Sequence, residues 1–246
     1  MIGFSGVVNQ EAAATPWYMQ EKLIGARGLS VLLTVAVLWL ADAFVLKPLH
    51  FKGRYFILHA IGNAVAVVLT LKGMMRTLLD PVHAADGDVQ IFGYCVVTGI
   101  HIYHVMAFRP LPQIEWIHHI LMIGVVGPVV FYYAQGAIID YCSFFLSGLP
   151  GGIDYVMLAL VKNGICEKET EKRVNSAINT WMRTPFGVIG AYILFQVCLY
   201  KTLSVGEIVS GLVVAGLVMW NALYFGRRVV ENYGGIRGPG AEPRIS

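Results

Sequence analysis

Apolar residues fall into seven long runs separated by short polar breaks, covering residues 28–46, 55–71, 90–108, 114–134, 137–161, 185–200 and 205–225. Most approach the ~20 residues that cross a ~30 Å hydrocarbon core as a helix. The pattern predicts an all-α, multispan transmembrane helical bundle of about seven spans. Run six is the shortest. Run five contains GLPGG at 148–152, where a proline beside three glycines should kink or interrupt the helix, so it is one interrupted span. The longest loop, KETEKRVNSAINTWMR at 168–183, has a different pattern. Val174, Ala177, Ile178, Trp181 and Met182 share one helical face and charges occupy the other, which predicts a helix lying in the interface as a cap over the bundle. The tail contains the Gly/Pro-rich YGGIRGPGAEPR and should lack regular structure. The chain thus divides into an N-terminal non-cytoplasmic segment (1–27), a transmembrane domain (28–228, with 168–183 interfacial) and a tail (229–246).

Composition strengthens the membrane reading, with 57% hydrophobic and 13% charged residues and a mean hydropathy of +0.64. Charge then orients the bundle. Only Lys22, Arg27, Lys72, Arg76 and Lys201, of 18 basic residues, fall on the N-terminal side or in the loops after runs two, four and six. The rest lie on the other side, which the positive-inside rule places in the cytoplasm or the mitochondrial matrix. The N-terminus is therefore expected outside and the C-terminus inside. The basic residues form no aromatic-basic platform, so nucleic acid is not an expected partner. Glu11 and Glu21, without an arginine-rich amphipathic pattern, argue against a cleavable leader. Cys95, Cys142, Cys166 and Cys198 form no C-x-x-C pair and read as small apolar residues.

Against this apolar background the histidines stand out. With alternating span directions, His59, His104, His118 and His119 each lie roughly 6–8 Å inside a span end on one side of the membrane. Asp42 lies at similar depth and Asp154 deeper. Helical spacing pairs His59 with Asn63, His101 with His104, and Glu115 with His118 and His119. Ionisable groups in hydrocarbon are expected to face the bundle interior and to mark function. Glu115 could accept an imidazole N–H and leave the other ring nitrogen as a base. A hydrogen-bonded polar plug holding helices together is the other reading of this trio. It is the preferred one for Asp42, Asn63, Gln196 and Asn221.

RYFILHAIGNAV (54–65), EWIHH (115–119), DYCSFF (140–145) and NTWMRTPF (179–186) together resemble the TLC domain of ceramide synthases, translocon-associated membrane proteins and small lipid-linked proteins. The resemblance covers roughly residues 51–228. It implies a helical bundle around a cavity that holds the paired histidines. From the family's enzymes it also implies an acyl-CoA-dependent lipid acyltransferase, with His118 or His119 as base or acyl-bearing residue, Asp140 and Asp154 as acidic partners, and acyl-CoA as co-substrate rather than a bound cofactor. The synthases carry paired aspartates after the histidines, whereas Asp140 and Asp154 are single and separated by the glycine-proline break. Enzyme status therefore stays open.

Other chemistries are weaker. The repeated His-x-x-His-His boxes of di-iron oxygenases are missing, and no metal is expected, although His101, His104 and His118 could supply three zinc ligands. Nucleophile elbows, Walker loops and dinucleotide fingerprints are absent. Run four beyond its histidines (121–131) and run two (64–71) are almost wholly apolar. The expected occupant is a long-chain lipid or acyl group, its head near the histidines with His59, Asn63, His101, His104 and Asp42 in the polar region. A sugar or nucleotide would leave buried polar groups unpaired at ~2–7 kcal/mol each. The alternative is a non-catalytic structural or accessory subunit of a membrane complex, packed through small faces such as Gly206, Gly211 and Gly216. Partners are membrane lipids and, in that alternative, other membrane subunits. The endoplasmic reticulum or another endomembrane is the expected location, with the mitochondrial inner membrane as the alternative.

Overall fold

A computed structural model describes residues 17–86, 91–133 and 136–237. Among these residues there are seven continuous helices and no strand: α1 (17–46), α2 (Arg54–Leu79), α3 (Phe92–Ala107), α4 (Gln113–Tyr133), α5 (Ile138–Lys162), α6 (Lys168–Tyr200) and α7 (Val205–Arg237). Six are long and apolar enough to cross a membrane, as an integral membrane protein requires. The exception is α3, whose 16 residues rise only ~24 Å. The seven expected spans therefore become six candidates and one shorter apolar helix. Gln90, where the third run was expected to start, lies outside the described residues, as do residues 1–16 of the N-terminal segment and 238–246 of the tail.

Four helices pass through a widened π turn, at Asp42–Leu46, Ile120–Val126, Phe144–Gly148 and Asn179–Arg183. Each ends two residues before a proline: Pro48, Pro128, Pro150 and Pro185. Proline donates no N–H and its ring crowds the carbonyl four residues back, and a shift to i→i+5 bonding relieves both problems. Run five is accordingly one helix with a relaxed turn at its glycine-proline segment.

Six helices surround an internal space. α2 packs against α3 and α5, α6 lies along α7, and α4 bridges α3 and α7. α1 packs on the outside of α3 and turns Leu32, Leu33, Val37 and Phe44 outward, as suits a surface facing lipid. Close crossings use Gly62 against Ile100, Gly93 against Thr70 and Gly187 against Ala222; of the expected glycines, Gly206 meets Tyr133 while Gly216 faces open space. At the α4–α5 turn, Gly136 has φ 57° and any Cβ would strike the backbone of Ala84 and Ala85. There the Ala137 N–H donates to the Ala84 carbonyl at 2.7 Å.

Two sequence expectations change. The segment 168–183 is not a separate interfacial helix but the first turns of α6. It buries Glu171, Asn175 and Asn179 and leaves Trp181 79% exposed, so its polar stripe faces the bundle and its aromatic faces outward. The tail also begins later than expected, because α7 continues through Tyr233 to Arg237. An exposed Arg227–Glu231 pair one turn apart (2.6 Å) lies along this extension.

Candidate histidine site and cavity

Five of the seven histidines converge. α2 contributes His59, α3 His101 and His104, and α4 His118 and His119. Ring centroids are 5.0 Å apart for His59–His104, 4.8 Å for His104–His119, 5.3 Å for His119–His101 and 5.1 Å for His101–His118. Tyr55 stacks on His104 at 4.9 Å and Tyr155 lies 4.4 Å from His59. His50 and His83 lie outside this cluster. In the loop after α2, the His83 imidazole hydrogen-bonds the Asp80 carboxylate at 3.0 Å and holds its pKa below the usual carboxylate range.

The hydrogen bonds imply tautomers. His59 Nδ1 contacts the Tyr55 carbonyl at 2.8 Å and His101 Nδ1 the Val97 carbonyl at 2.7 Å. A carbonyl only accepts, so each Nδ1 carries the proton and each Nε2 keeps a lone pair. His118 Nε2 lies 3.1 Å from His101 Nε2. In the neutral pair it therefore donates, leaving His118 Nδ1 basic. The expected local pairings hold only in part: Glu115 and His119 stay close, but two other partners differ. His59 bonds a backbone carbonyl rather than Asn63, and Glu115 Oε2 lies 3.7 Å from His104 Nε2 on the neighbouring helix.

Adjacent residues on a helix point ~100° apart, so His118 and His119 face different surroundings. His118 and His101 line an internal cavity of about 160 Å3 that opens in part to the surroundings. His119 turns instead toward His104 and Glu115. One donor atom from each of those three residues lies within 4.8 Å of the others.

The cavity is polar at one end and apolar beyond. Its polar end holds His101, His118, Asp154, Tyr155, Arg183 and Asn221; the remainder is lined mainly by Val126, Val130, Ile139, Val214 and Leu217, with Ser143 and the Tyr94 hydroxyl, buried without a hydrogen-bond partner, as its polar exceptions. Along α4 the wall runs His118, Met122, Val126, Val130, a rise of ~18 Å. Arg183 Nη2 donates to Asn221 Oδ1 at 3.1 Å, while its Nε and Asp154 Oδ1 are buried without hydrogen-bond partners. Phe225 lies between the two polar groups, 5.6 Å from the His118 ring and 5.9 Å from the Arg183 guanidinium.

Of the residues expected in the polar cavity, Asn63 and His101 line it and Asn63 accepts from Ser147 Oγ at 3.4 Å. His59 and His104 sit behind it. Asp42 does not belong to it: it is buried where α1, α2 and α3 meet, accepting from Tyr103 Oη at 3.0 Å and paired with Arg54 Nε at 3.3 Å. Asp140 is not an acidic partner of the histidines either. It packs against Gly73, ~21 Å along α5 from Asp154, because fourteen residues of helix separate them.

Sequence reading assigned Asn221 to helix packing and missed Tyr155, Arg183 and Phe225. Arg183 had been counted as a loop base. Glu171, Asn175, Asn179 and Arg183, each four apart, form the signal that would have found it. No protein-family model, curated protein or solved structure matches this chain.

Proposed function

We propose that the protein binds a long-chain lipid or acyl group as a bundle of the TLC-domain type, with seven spans if α3 also crosses. The head group sits at His101, His118 and Arg183, and the tail lies along Val126, Val130 and Val214. The one-ended polarity of the cavity is the observation that carries this reading. A tail leaving the bilayer is already in an apolar medium and gains little by entering another. Selectivity therefore rests on the head group and on a buried arginine that still has an unpaired N–H. If the bound acyl group is transferred, acyl-CoA is the co-substrate, His118 the base and Asp154 the nearby acid.

Lipid mass spectrometry of the purified protein tests the proposal. A defined long-chain species should co-purify at near one per chain, and fall at least tenfold in His118→Ala and in Val218→Phe, which fills the cavity wall. Equal lipid content in all three proteins would sink it. Acyl-transferase activity that survives replacement of both His118 and His119 would remove the catalytic form alone. A lipid-free protein recovered only with partner chains would favour the accessory-subunit reading.

A further inference from the structure

We propose that His104, Glu115 and His119 hold a divalent first-row transition-metal ion, in a site separate from the lipid cavity. Two imidazoles and a carboxylate form a donor set suited to Zn2+ or Fe2+ with coordination positions left open. Glu115 and His119 are four residues apart on α4, and His104 comes from the last turn of α3, so the site joins two helices that meet over few residues.

The distances suit an ion that is not far from seated. Bonds of about 2.0–2.2 Å in a tetrahedral arrangement place donor atoms roughly 3.3–3.5 Å apart. His104 Nε2 and Glu115 Oε2 are already at 3.7 Å, too long for a hydrogen bond, and all three donor atoms lie within 4.8 Å. Rotation of the partly exposed Glu115 side chain closes much of the difference.

A second observation is independent of these spacings. His104 and His119 are only 5% and 4% exposed, yet Nδ1 of each is buried without a hydrogen-bond partner. Buried imidazoles ordinarily find partners. His59 and His101 do so through backbone carbonyls, which fix their rings. His104 and His119 lack that anchor, so no backbone carbonyl fixes their tautomers, and a neutral ring that carries its proton on Nδ1 keeps the Nε2 lone pair free. Each can therefore bring a lone pair to a shared ion. Glu115, 38% exposed, offers a route in from solvent and a carboxylate to balance the charge. None of the three lines the cavity, so the proposal does not rest on lipid binding.

The full chain, purified in detergent and stripped with chelator, is titrated with Co2+ and separately with Zn2+, with bound metal measured by elemental analysis. We expect one ion per chain and the visible absorption of Co2+ held by nitrogen and oxygen donors. Affinity should fall at least tenfold in His104→Ala and Glu115→Gln and stay within twofold in Val218→Phe. No saturable binding, or unchanged binding in the His104 and Glu115 variants, overturns the site. If those variants fail to fold, X-ray absorption of the Zn2+-loaded native chain decides: two imidazole ligands support the site and fewer than two overturn it. Loss of lipid in Val218→Phe with metal retained separates the two proposals.

Discussion

His118 and His119 are neighbours in sequence, but they face different surroundings. His118 lines the cavity with its Nε2 held by His101, whereas His119 turns to His104 and Glu115 with its Nδ1 unpartnered. Reading the pair as one catalytic unit would merge two environments. The difference teaches that a tandem motif on a helix is two directions, each with its own polar surroundings.

The variant with the largest expected effect checks whether any buried polar group would behave like these. Asp42→Ala removes a carboxylate that Tyr103 and Arg54 both use, and breaking a buried pair typically costs about 3–5 kcal/mol. Thermal unfolding in detergent should show that loss, while lipid and metal per folded chain stay unchanged. A loss of either ligand by the folded variant would blur the line between structural knot and site. Arg183→Ala should cost less stability but lower bound lipid at least tenfold, about 1.4 kcal/mol, without altering metal content. Should metal fall instead, the two sites are one. Asp140→Asn is a sharper and smaller test. Because Asp140 lies against Gly73, lipid content should change less than twofold, and a tenfold drop would restore it as a partner of the histidines. The smallest effect belongs to Trp181→Ala, within about 0.5 kcal/mol of native stability, since its side chain faces outward; a shift of several kcal/mol would revive the cap over the bundle.

The helices were legible because uninterrupted apolar runs leave little else for a chain in lipid to form. The meeting of His59, His104, His118 and His119 was also legible, since alternating directions fix depth. Rotation about each helix axis was not. Val174, Ala177 and Trp181 were read at a period of 3.6, but the buried stripe Glu171–Asn175–Asn179–Arg183 repeats every four residues. Asp140 was misplaced although its distance was legible: fourteen residues of one predicted span already put it ~21 Å from Asp154, and only the resemblance grouped the two. Arg183 was hidden by its apparent loop position, which became helix once the two segments joined.

The widened turn at Ile120–Val126 accounts for the straightness of the cavity wall. In an unbroken α-helix, residues spaced by four drift ~40° per step. From His118 to Val130 the stripe would wind ~120° and leave the space it lines. A turn of about 4.4 residues drifts the opposite way and unwinds the stripe, keeping His118, Met122, Val126 and Val130 on one wall. The proline two residues beyond the turn thus acts as a draughtsman's rule, converting a spiral of side chains into a straight gutter.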